Sequence, residues 1–269
     1  MKLLVDVGNQ RLKWATIDTD HKLDGRSGTL ELDDSNRPLV LATQLDPIGR
    51  PESVWVSCVA KPEIRKVLDN FAHSEWSLKP FFISSPKRQA GIVNAYADPA
   101  SLGSDRWAAL VAVGDLFPRQ PVIVVDAGTA ITVDLLDDSG RFQGGVIFPG
   151  IQTMQSALIH HTENINFSRA IDLADQVNAI ATNTRSAVVN GALMATAGGI
   201  NLAIAKQQAH LQAGLDSAEP ESNEHESDCR VVMAGGDARR LEPLLAARVT
   251  IRPDLVLWGL SVISRESAQ

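Results

Sequence analysis

Two stretches of the chain share one pattern of apolar and polar positions. Residues 3–9 and 123–129 are each an apolar run that ends in Asp-x-Gly and a further polar residue. A second apolar run follows each of them, at residues 12–17 and 131–136, and closes on an acidic turn. Apolar runs joined by short glycine turns are typical of antiparallel hairpins. The pattern therefore predicts two copies of a strand, glycine turn, strand, polar turn and third strand.

The segment between the two copies alternates strands with helices. Residues 53–59 form a continuous apolar run, which predicts a buried strand. Apolar positions at helical spacing predict helices over residues 62–73 and 101–117, and Ser101 or Ser104 can cap the second of these. Alternation of this kind favours an α/β domain.

Helical patterns dominate the chain after the second copy. Residues 187–211 form a long, alanine-rich segment that is apolar on more than one face. Because such a helix needs partners on several faces, burial in a dimer is one arrangement that satisfies it. A predicted strand at 230–234 then runs into Gly235-Gly236 and a helix that extends to residue 245. The remaining segments are a helix from residue 151, an acidic loop at 219–228 and a final helix at 254–264.

The repeated pattern predicts a duplicated protein of two domains. The second copy starts 120 residues after the first, which places the domains at residues 1–118 and 119–269. Each domain is expected to contain a mixed sheet with flanking helices. The length of 269 residues also exceeds that of an ordinary single domain. Chance agreement between two unrelated hairpins is the alternative, although the Asp-x-Gly placement matches as well as the apolar pattern.

Composition and charge narrow the classes of function. An apolar content of 44% and a charged content of 21% are those of a folded globular protein. The net charge of −7, without clustered Lys and Arg, argues against binding to nucleic acid or to an anionic membrane. The two cysteines do not make a disulfide framework, and the apolar run at the N-terminus is too short for a signal peptide. We therefore expect a cytoplasmic protein.

The first glycine turn carries groups that suit a phosphate. Asp6 ends a strand, where a carboxylate can hold Mg²⁺ together with phosphate oxygens. Gly8 lets the backbone approach a phosphate closely, while Asn9 and Gln10 can donate hydrogen bonds. Lys13 can reach a phosphate as a point charge. A hairpin turn whose aspartate is satisfied locally is the structural alternative.

The second glycine turn offers similar groups from the other copy. It contains Asp126, Gly128 and Thr129, and two such loops facing each other across a cleft would clamp a triphosphate. Gly235-Gly236 follows a predicted buried strand and provides bare backbone on which a flat nucleotide base can lie. The histidines are not spaced as a metal site.

A further motif, Gly-Ser-Asp-Arg at residues 103–106, lies at the predicted start of a helix. With the two Asp-x-Gly loops, it makes the chain similar to the type III pantothenate kinase family over residues 3–259. Gly144-Gly145, Pro149-Gly150 and Asn183-Thr184-Arg185 complete the set of matching motifs. That family resembles the actin-like, ribonuclease H-like superfamily, whose members hold ATP between two duplicated domains. Phosphatases share this fold, so the fold alone does not decide the reaction.

The resemblance implies ATP-dependent phosphorylation of pantothenate by a homodimer, with Mg²⁺ and a monovalent cation, K⁺ or NH₄⁺, as cofactors. It implies that Asp105 accepts the proton of the acceptor hydroxyl and that Asp126 holds the monovalent cation. The residues implied at ATP are Asp6, Val7, Gly8, Asn9, Gln10, Arg11, Leu12, Lys13 and Thr129. The residues implied at pantothenate are Tyr96, Gly103, Ser104, Asp105, Arg106 and Thr184.

The chemistry expected of Asp105 agrees with this role. A hydroxyl that attacks a γ-phosphate needs a carboxylate to receive its proton. Asp105 is expected to stay ionised, because the dipole of a helix favours negative charge in its first turn. Arg106 can pair with the pantothenate carboxylate or with Asp105. A helix-start carboxylate of structural value only is the alternative.

Three positions have plainer alternatives or depart from the family pattern. Tyr96 can wall the substrate pocket or pack on the surface as a loop residue. Thr184 can face a substrate or cap a helix. Gln10 stands where the family usually has a small hydroxyl residue, which changes what this loop position can reach at a phosphate.

Two other classes of function fit the same fold. One is a regulatory or accessory protein that binds a nucleotide without turnover, although the intact Asp6, Asp105 and Asp126 speak against lost catalysis. The other is a phosphatase, or a kinase for a different small hydroxyl compound. Release of ADP across candidate alcohols separates the three.

Overall fold

A computed structural model describes residues 1–18, 23–32, 45, 49–162, 165, 178–216 and 229–267. The acidic loop predicted at 219–228 and most of the polar turn after residue 17 lie outside the described residues. Within them the elements are β1 (Lys2–Val7), β2 (Arg11–Ile17), β3 (Leu23–Glu31), β4 (Ser53–Cys58), α1 (Pro62–Trp76), β5 (Phe81–Phe82), β6 (Arg88–Gln89), β7 (Ile92–Asn94), α2 (Ser104–Leu116), β8 (Val122–Ala127), β9 (Ala130–Leu136), β10 (Arg141–Pro149), α3 (Ile151–His161), α4 (Thr184–Asp216), β11 (Arg230–Ala234), α5 (Ala238–Leu241), β12 (Val249–Ile251) and α6 (Leu255–Glu266).

The chain forms two compact units. Unit 1 contains Met1–Arg119, Asp138–Gln143 and Asp254–Gln269, and unit 2 contains Gln120–Asp137 and Gly144–Pro253. The sequence-based division into two domains, residues 1–118 and 119–269, stays a prediction.

Unit 1 is built on a five-stranded mixed sheet in the order β3-β2-β1-β4-β5. β1 pairs antiparallel with β2 and parallel with β4. Alternate residues of β1 face opposite sides of the sheet, and both sides are apolar. Leu3 and Val5 pack with Leu68 of α1, while Leu4 packs with Leu260 of α6. Helices therefore cover both faces of this sheet, as the apolar run of β1 requires.

A small second group of strands in unit 1 carries the segment before α2. β7 pairs antiparallel with β6 and parallel with Arg141 and Phe142, the first residues of β10. A turn of 3₁₀-helix at Pro99–Ser101 follows β7, and α2 begins at Ser104 with Gly103 as its N-cap. The predicted cap was therefore wrong: Ser101 ends the 3₁₀ turn, and no side chain hydrogen-bonds at the N-cap of α2.

Unit 2 repeats the sheet of unit 1. Its strands follow the order β12-β11-β8-β9-β10, and β8 pairs antiparallel with β9 and parallel with β11. β8 therefore occupies the place that β1 has in unit 1. Its alternate residues Ile123 and Val125 pack with Leu193 and Ile200 of α4. The predicted fold class, α/β with two duplicated mixed sheets and flanking helices, is confirmed.

The helix predicted to follow Gly235-Gly236 is shorter than expected. α5 ends at Leu241, and a 3₁₀ turn follows over Glu242–Leu244. Pro243 lacks the N–H group that would continue the α-helical ladder.

The long helix α4 was predicted correctly, and it is apolar on several faces. By length and composition its residues Thr184–Ala213 could cross a bilayer, with a mean hydropathy of 1.5. Half of the apolar window is buried inside the protein, and the core helix of a soluble protein passes the same test. Other large apolar side chains of α4 lie at the surface, such as Leu202, which is 61% exposed.

Candidate active site

The first predicted nucleotide loop is a closed hairpin turn in unit 1. The β1–β2 register places Lys13 opposite Asp6, and the N–H of Gly8 donates to the carbonyl of Arg11 at 2.9 Å. Asn9 and Gln10 form the exposed tip of this turn. The carbonyl of Gln10 accepts the N–H of Leu32 at 2.8 Å, which braces the loop against the end of β3.

Two residues implied at ATP are core residues. The side chains of Val7 and Leu12 are fully buried in the apolar core of unit 1. Only their backbone groups can therefore take part in contacts with a nucleotide. The side chain of Arg11 is exposed, and its Nη2 lies 3.9 Å from Oε1 of Glu31. Because this contact is long and exposed, the side chain of Arg11 can turn toward solvent.

The second loop lies in unit 2 and is one residue shorter. Asp126 pairs with Thr132, and the N–H of Gly128 donates to the carbonyl of Ala130 at 3.1 Å. The offset between matching residues of the two copies is therefore 120 before the turn and 119 after it. The apolar runs that begin at residues 12 and 131 show the same offset of 119.

The second loop is fixed against the start of α3. The carbonyl of Thr129 accepts two hydrogen bonds, from the N–H of Gly150 at 2.9 Å and from Oγ1 of Thr153 at 2.6 Å. A Cβ at Gly150 would overlap the carbonyl of Gly128, so only glycine allows this approach. The Pro149-Gly150 motif thus has a structural reason.

Gly235 packs directly on the end of β8. A Cβ at this position would overlap the backbone of Ala127, and the φ of Gly235 is +93°. The N–H of Asp237 also donates to the carbonyl of Ala127 at 3.0 Å. Unit 2 therefore brings the double glycine beside Asp126 at the carboxyl ends of β8 and β11. In α/β sheets this is the edge at which ligands bind.

The Gly-Ser-Asp-Arg motif is joined to the Asp6 strand through one serine. Ser57 is the register partner of Asp6 across β1 and β4. Oγ of Ser57 lies 3.1 Å from Oγ of Ser104, which also accepts the N–H of Cys58 at 3.2 Å. These bonds hold the start of α2 at the end of β4, so unit 1 brings together the first nucleotide loop and the motif at 103–106.

Gly103 gives Asp105 its space. Asp105 occupies the second position of α2, and its Oδ1 accepts the N–H of Arg106 at 2.7 Å. A Cβ at Gly103 would lie 2.6 Å from that oxygen, closer than real Cβ contacts. The glycine of the motif therefore sets the rotamer of the carboxylate.

Burial raises the pKa of Asp105 above its ordinary value. The hydrogen bond from Arg106 and the charge of its guanidinium lower this pKa, but by less than burial raises it. The start of a helix favours the ionised form, as expected from the sequence, but the burial that opposes it is a property of the packed structure. A carboxylate with a raised pKa is a better proton acceptor.

Arg106 is buried and lies against two aromatic rings. Its side chain is 7% exposed, and its Nη1 donates to Oη of Tyr96 at 3.1 Å. Its Cζ lies 5.8 Å from the ring centre of Tyr96 and 5.9 Å from that of Phe142. Tyr96 is thus not a loosely packed surface residue. Its hydroxyl accepts from Arg106 and keeps its own proton for another acceptor.

Thr184 lies in unit 2 at the first position of α4. Oδ1 of Asn183 accepts the N–H of Ser186 at 2.9 Å, so Asn183 caps this helix, and the alternative in which Thr184 does so was wrong. Thr184 and Thr153 are among the residues that line a largely apolar cavity of about 650 Å³ between α3 and α4.

The groups at the two loops that could hold a metal ion are the carboxylates of Asp6 and Asp126. Among the residues that the structure describes, no three His, Cys, Asp or Glu side chains converge. Mg²⁺ does not need such a cluster, because it is usually bound through one or two carboxylates together with phosphate oxygens and water.

Two residues that matter to this geometry were not predicted. Asn94 and Phe142 are register partners in β7 and β10, and both are fully buried. A buried Asn at the end of a short apolar run was the available signal for the first. Nothing local to residue 142 marks the second.

Comparison with known proteins is consistent across sequence and structure. The family model of type III pantothenate kinase matches residues 2–206. A type III pantothenate kinase of Nitrosococcus oceani is 32% identical over 273 residues, which cover 100% of this chain and 96% of the relative. Among solved structures, one of a protein from Campylobacter jejuni called a conserved Baf family transcriptional activator has a TM-score of 0.55 at 19% identity and covers 99% of this chain and 98% of that one. A structure from Sinorhizobium meliloti called a 2-dehydro-3-deoxygalactonokinase has a TM-score of 0.51 at 12% identity, with 98% of both chains covered. At these identities the structural likenesses show the fold alone.

Proposed function

The chain belongs to the type III pantothenate kinase family, and on that premise we propose that it transfers the γ-phosphate of ATP to the 4′-hydroxyl of pantothenate. The product is 4′-phosphopantothenate, and the reaction is the first step of coenzyme A biosynthesis. One observation carries the assignment of the site. Ser57 is the register partner of Asp6 and hydrogen-bonds Ser104, so two carboxylates, Asp6 and Asp105, belong to one connected framework.

Asp105 is proposed as the proton acceptor. Phosphoryl transfer depends on positioning and on neutralisation of charge, and the one proton to be moved is that of the attacking hydroxyl. Asp105 is fixed by its hydrogen bond to the N–H of Arg106 and by the space at Gly103. Its raised pKa improves its match to a hydroxyl proton. Pantothenate is proposed to bind along Gly103, Ser104 and Arg106. Tyr96 lies beside Arg106, and Thr184 is proposed as a further contact.

The nucleotide is assigned to the two glycine turns. The loop from Asp6 to Lys13 and the loop at Thr129 supply N–H groups, polar side chains and one amine to the phosphates. Gly235-Gly236 provides bare backbone for the base. Asp6 would hold Mg²⁺, which would neutralise phosphate charge when bound. Asp126, a carboxylate at the end of β8, would hold a monovalent cation, K⁺ or NH₄⁺.

The assembly is proposed to be a homodimer through α3 and α4. Several large apolar side chains of β10, α3 and α4 are exposed. They are Val146 and Ile147 of β10, Leu158 of α3, and Met194 and Leu202 of α4. Met194 and Leu202 are eight residues apart and share one face of α4. Exposed apolar side chains that share a face mark an interaction surface.

We expect Leu202→Glu to convert the dimer to a monomer, because a charge at this face loses its water in the interface. Light scattering after size-exclusion chromatography measures the mass directly. Gln208→Glu adds the same charge at an exposed polar position of α4 and should leave the dimer intact. A dimer that survives Leu202→Glu at the same concentration contradicts this interface.

We expect the purified chain to release ADP from ATP when pantothenate is present, and faster with K⁺ than with Na⁺. A coupled assay of ADP, with phosphopantothenate identified by mass, measures the reaction. Other small alcohols serve as controls for the acceptor. ADP release with another alcohol and none with pantothenate contradicts the proposed substrate. Nucleotide binding without any turnover favours an accessory protein instead. Equal rates in K⁺ and Na⁺ contradict only the cation assignment.

We place the enzyme in the cytoplasm, where its substrates are.

A further inference from the structure

Asn94 is a buried polar residue whose four polar atoms all have hydrogen-bond partners. It is 0% exposed and ends β7. Its backbone N–H donates to the carbonyl of Lys87 at 2.9 Å, and its carbonyl accepts from Nζ of Lys87 at 2.7 Å. Its side-chain Oδ1 accepts the N–H of Tyr96 at 3.0 Å, and Nδ2 donates to the carbonyl of Pro99 at 3.3 Å. A buried amide that is bonded at both its oxygen and its nitrogen favours one conformation of its surroundings.

The two side-chain bonds of Asn94 fix the segment that leads to the proposed acceptor site. They join Tyr96 to Pro99, the start of the 3₁₀ turn before α2. The other end of this segment is fixed separately, because Oγ of the buried Ser85 donates to the carbonyl of Leu102 at 2.9 Å. Asn94 therefore determines where the ring of Tyr96 lies relative to the first turn of α2.

The same strand pair places the second ring. Phe142 is the register partner of Asn94, and its ring centre is 5.4 Å from that of Tyr96. Arg106 lies against both rings and donates to Oη of Tyr96. One register position of β7 and β10 thus sets the surroundings of a single buried guanidinium.

On the basis of the proposed function, we propose that Asn94 is a positioning residue for recognition of the acceptor's carboxylate, and that it acts through Tyr96 and Arg106. A guanidinium recognises a carboxylate by two parallel hydrogen bonds, which tolerate little displacement. The aromatic faces and Oη of Tyr96 fix the plane of the Arg106 guanidinium, and Asn94 fixes Tyr96. The preference for an anionic acceptor molecule over a neutral one therefore depends on the Asn94 amide, which contacts neither molecule directly.

The test compares pantothenate with a neutral analogue in which a primary amide replaces the carboxylate. Asn94→Asp keeps the acceptor for the N–H of Tyr96 but loses the donor to Pro99, so the loop shifts without loss of volume. We expect kcat/KM for pantothenate to fall roughly 10- to 100-fold, mainly through KM, since small misplacements at a site have effects of that size. For the neutral analogue the fall should be less than about threefold. KM for ATP should not change.

Asn201→Asp is the matched control in unit 2. Its Nδ2 donates to the carbonyl of Leu244 at 3.2 Å and its Oδ1 accepts the N–H of Ala246 at 2.9 Å, the same pattern of bonds as at Asn94. It should lower thermal stability but leave the ratio of pantothenate to analogue unchanged. Tyr96→Phe removes only the hydroxyl and serves if Asn94→Asp does not fold. Tyr96→Phe should also lower the ratio of kcat/KM for pantothenate to kcat/KM for the neutral analogue. In the double variant with Asn94→Asp, this ratio should fall by less than the product of the two single effects.

The outcomes separate this inference from the proposed function. A wild-type chain that does not phosphorylate pantothenate overturns the proposed function itself. An active wild type in which Asn94→Asp and Tyr96→Phe lower activity equally for pantothenate and its neutral analogue overturns the positioning role. Independent, multiplicative effects of the two substitutions on the ratio also overturn it.

Discussion

Asp105→Asn should lower kcat roughly 10²- to 10⁴-fold, the usual contribution of a positioned proton acceptor. The substitution keeps an oxygen that can accept the N–H of Arg106, so the start of α2 should be retained. KM for ATP should change little, because Asp105 is assigned to the pantothenate site and not to the nucleotide site. Steady-state release of ADP at saturating pantothenate measures the effect.

Asp98→Asn is the matched control for this substitution. Oδ1 of Asp98 accepts the N–H of Ala100 at 3.2 Å at the start of the 3₁₀ turn, a local bond of the same kind, but the residue is exposed. Its kcat should stay within about twofold of wild type, since surface substitutions of this type have small effects. If Asp105→Asn turns over as fast as Asp98→Asn, Asp105 is not the proton acceptor.

The raised pKa of Asp105 predicts the pH dependence of wild type. The proton acceptor must be ionised, so kcat/KM should fall as pH decreases through a pKa that lies above the ordinary aspartate value of about 3.9. Stability should change in the opposite direction. Because the folded state holds this proton more tightly than the unfolded state, the contribution to stability is present at low pH and is lost as pH rises through the raised pKa. Asp105→Asn should therefore unfold at higher urea than wild type at pH 7, and the difference should disappear in acid.

The parts of the fold that the sequence predicted are those set by local apolar pattern. The repeated hairpins, α2 and α4 follow from runs and spacings that a sheet or helix buries on defined faces. The Asp-x-Gly loops could be located for the same reason, because a glycine turn must follow the strand. The helix cap was misjudged because the start of α2, with Gly103 as its N-cap, depends on the 3₁₀ turn at Pro99–Ser101, which the helical pattern does not show.

The parts that could not be predicted depend on contacts between distant residues. Phe142 meets Asn94 across a strand pair although they are far apart in sequence, and periodicity does not reveal register between strands. The pKa of Asp105 depends on burial, which is a property of the packed structure. The roles given to Tyr96 and Thr184 came from the family motifs, and the structure adds partners for the first and a cavity for the second.

The double glycine at 235–236 carries the second large prediction. Gly235→Ala should lower the free energy of unfolding by about 3 kcal/mol or more, because two penalties act together. Its Cβ would overlap the backbone of Ala127, which cannot move aside as a flexible side chain would, and its φ of +93° disfavours any residue with a Cβ. Urea unfolding followed by circular dichroism measures the loss.

Nucleotide binding should weaken in Gly235→Ala before the fold is lost. Ala127 follows Asp126 directly, so a displaced end of β8 moves both the carboxylate and the Gly128-Thr129 turn. KM for ATP should therefore rise in the folded variant at low temperature. Gly128→Ala is the control for stability, since its Cβ would lie 3.7 Å from the carbonyl oxygen of Ala130, at ordinary contact distance. The free energy of unfolding of Gly128→Ala should lie within about 0.5 kcal/mol of that of wild type. If Gly235→Ala is as stable as Gly128→Ala, the close packing of the double glycine on β8 does not exist in solution, and the assignment of the base to this position loses its support.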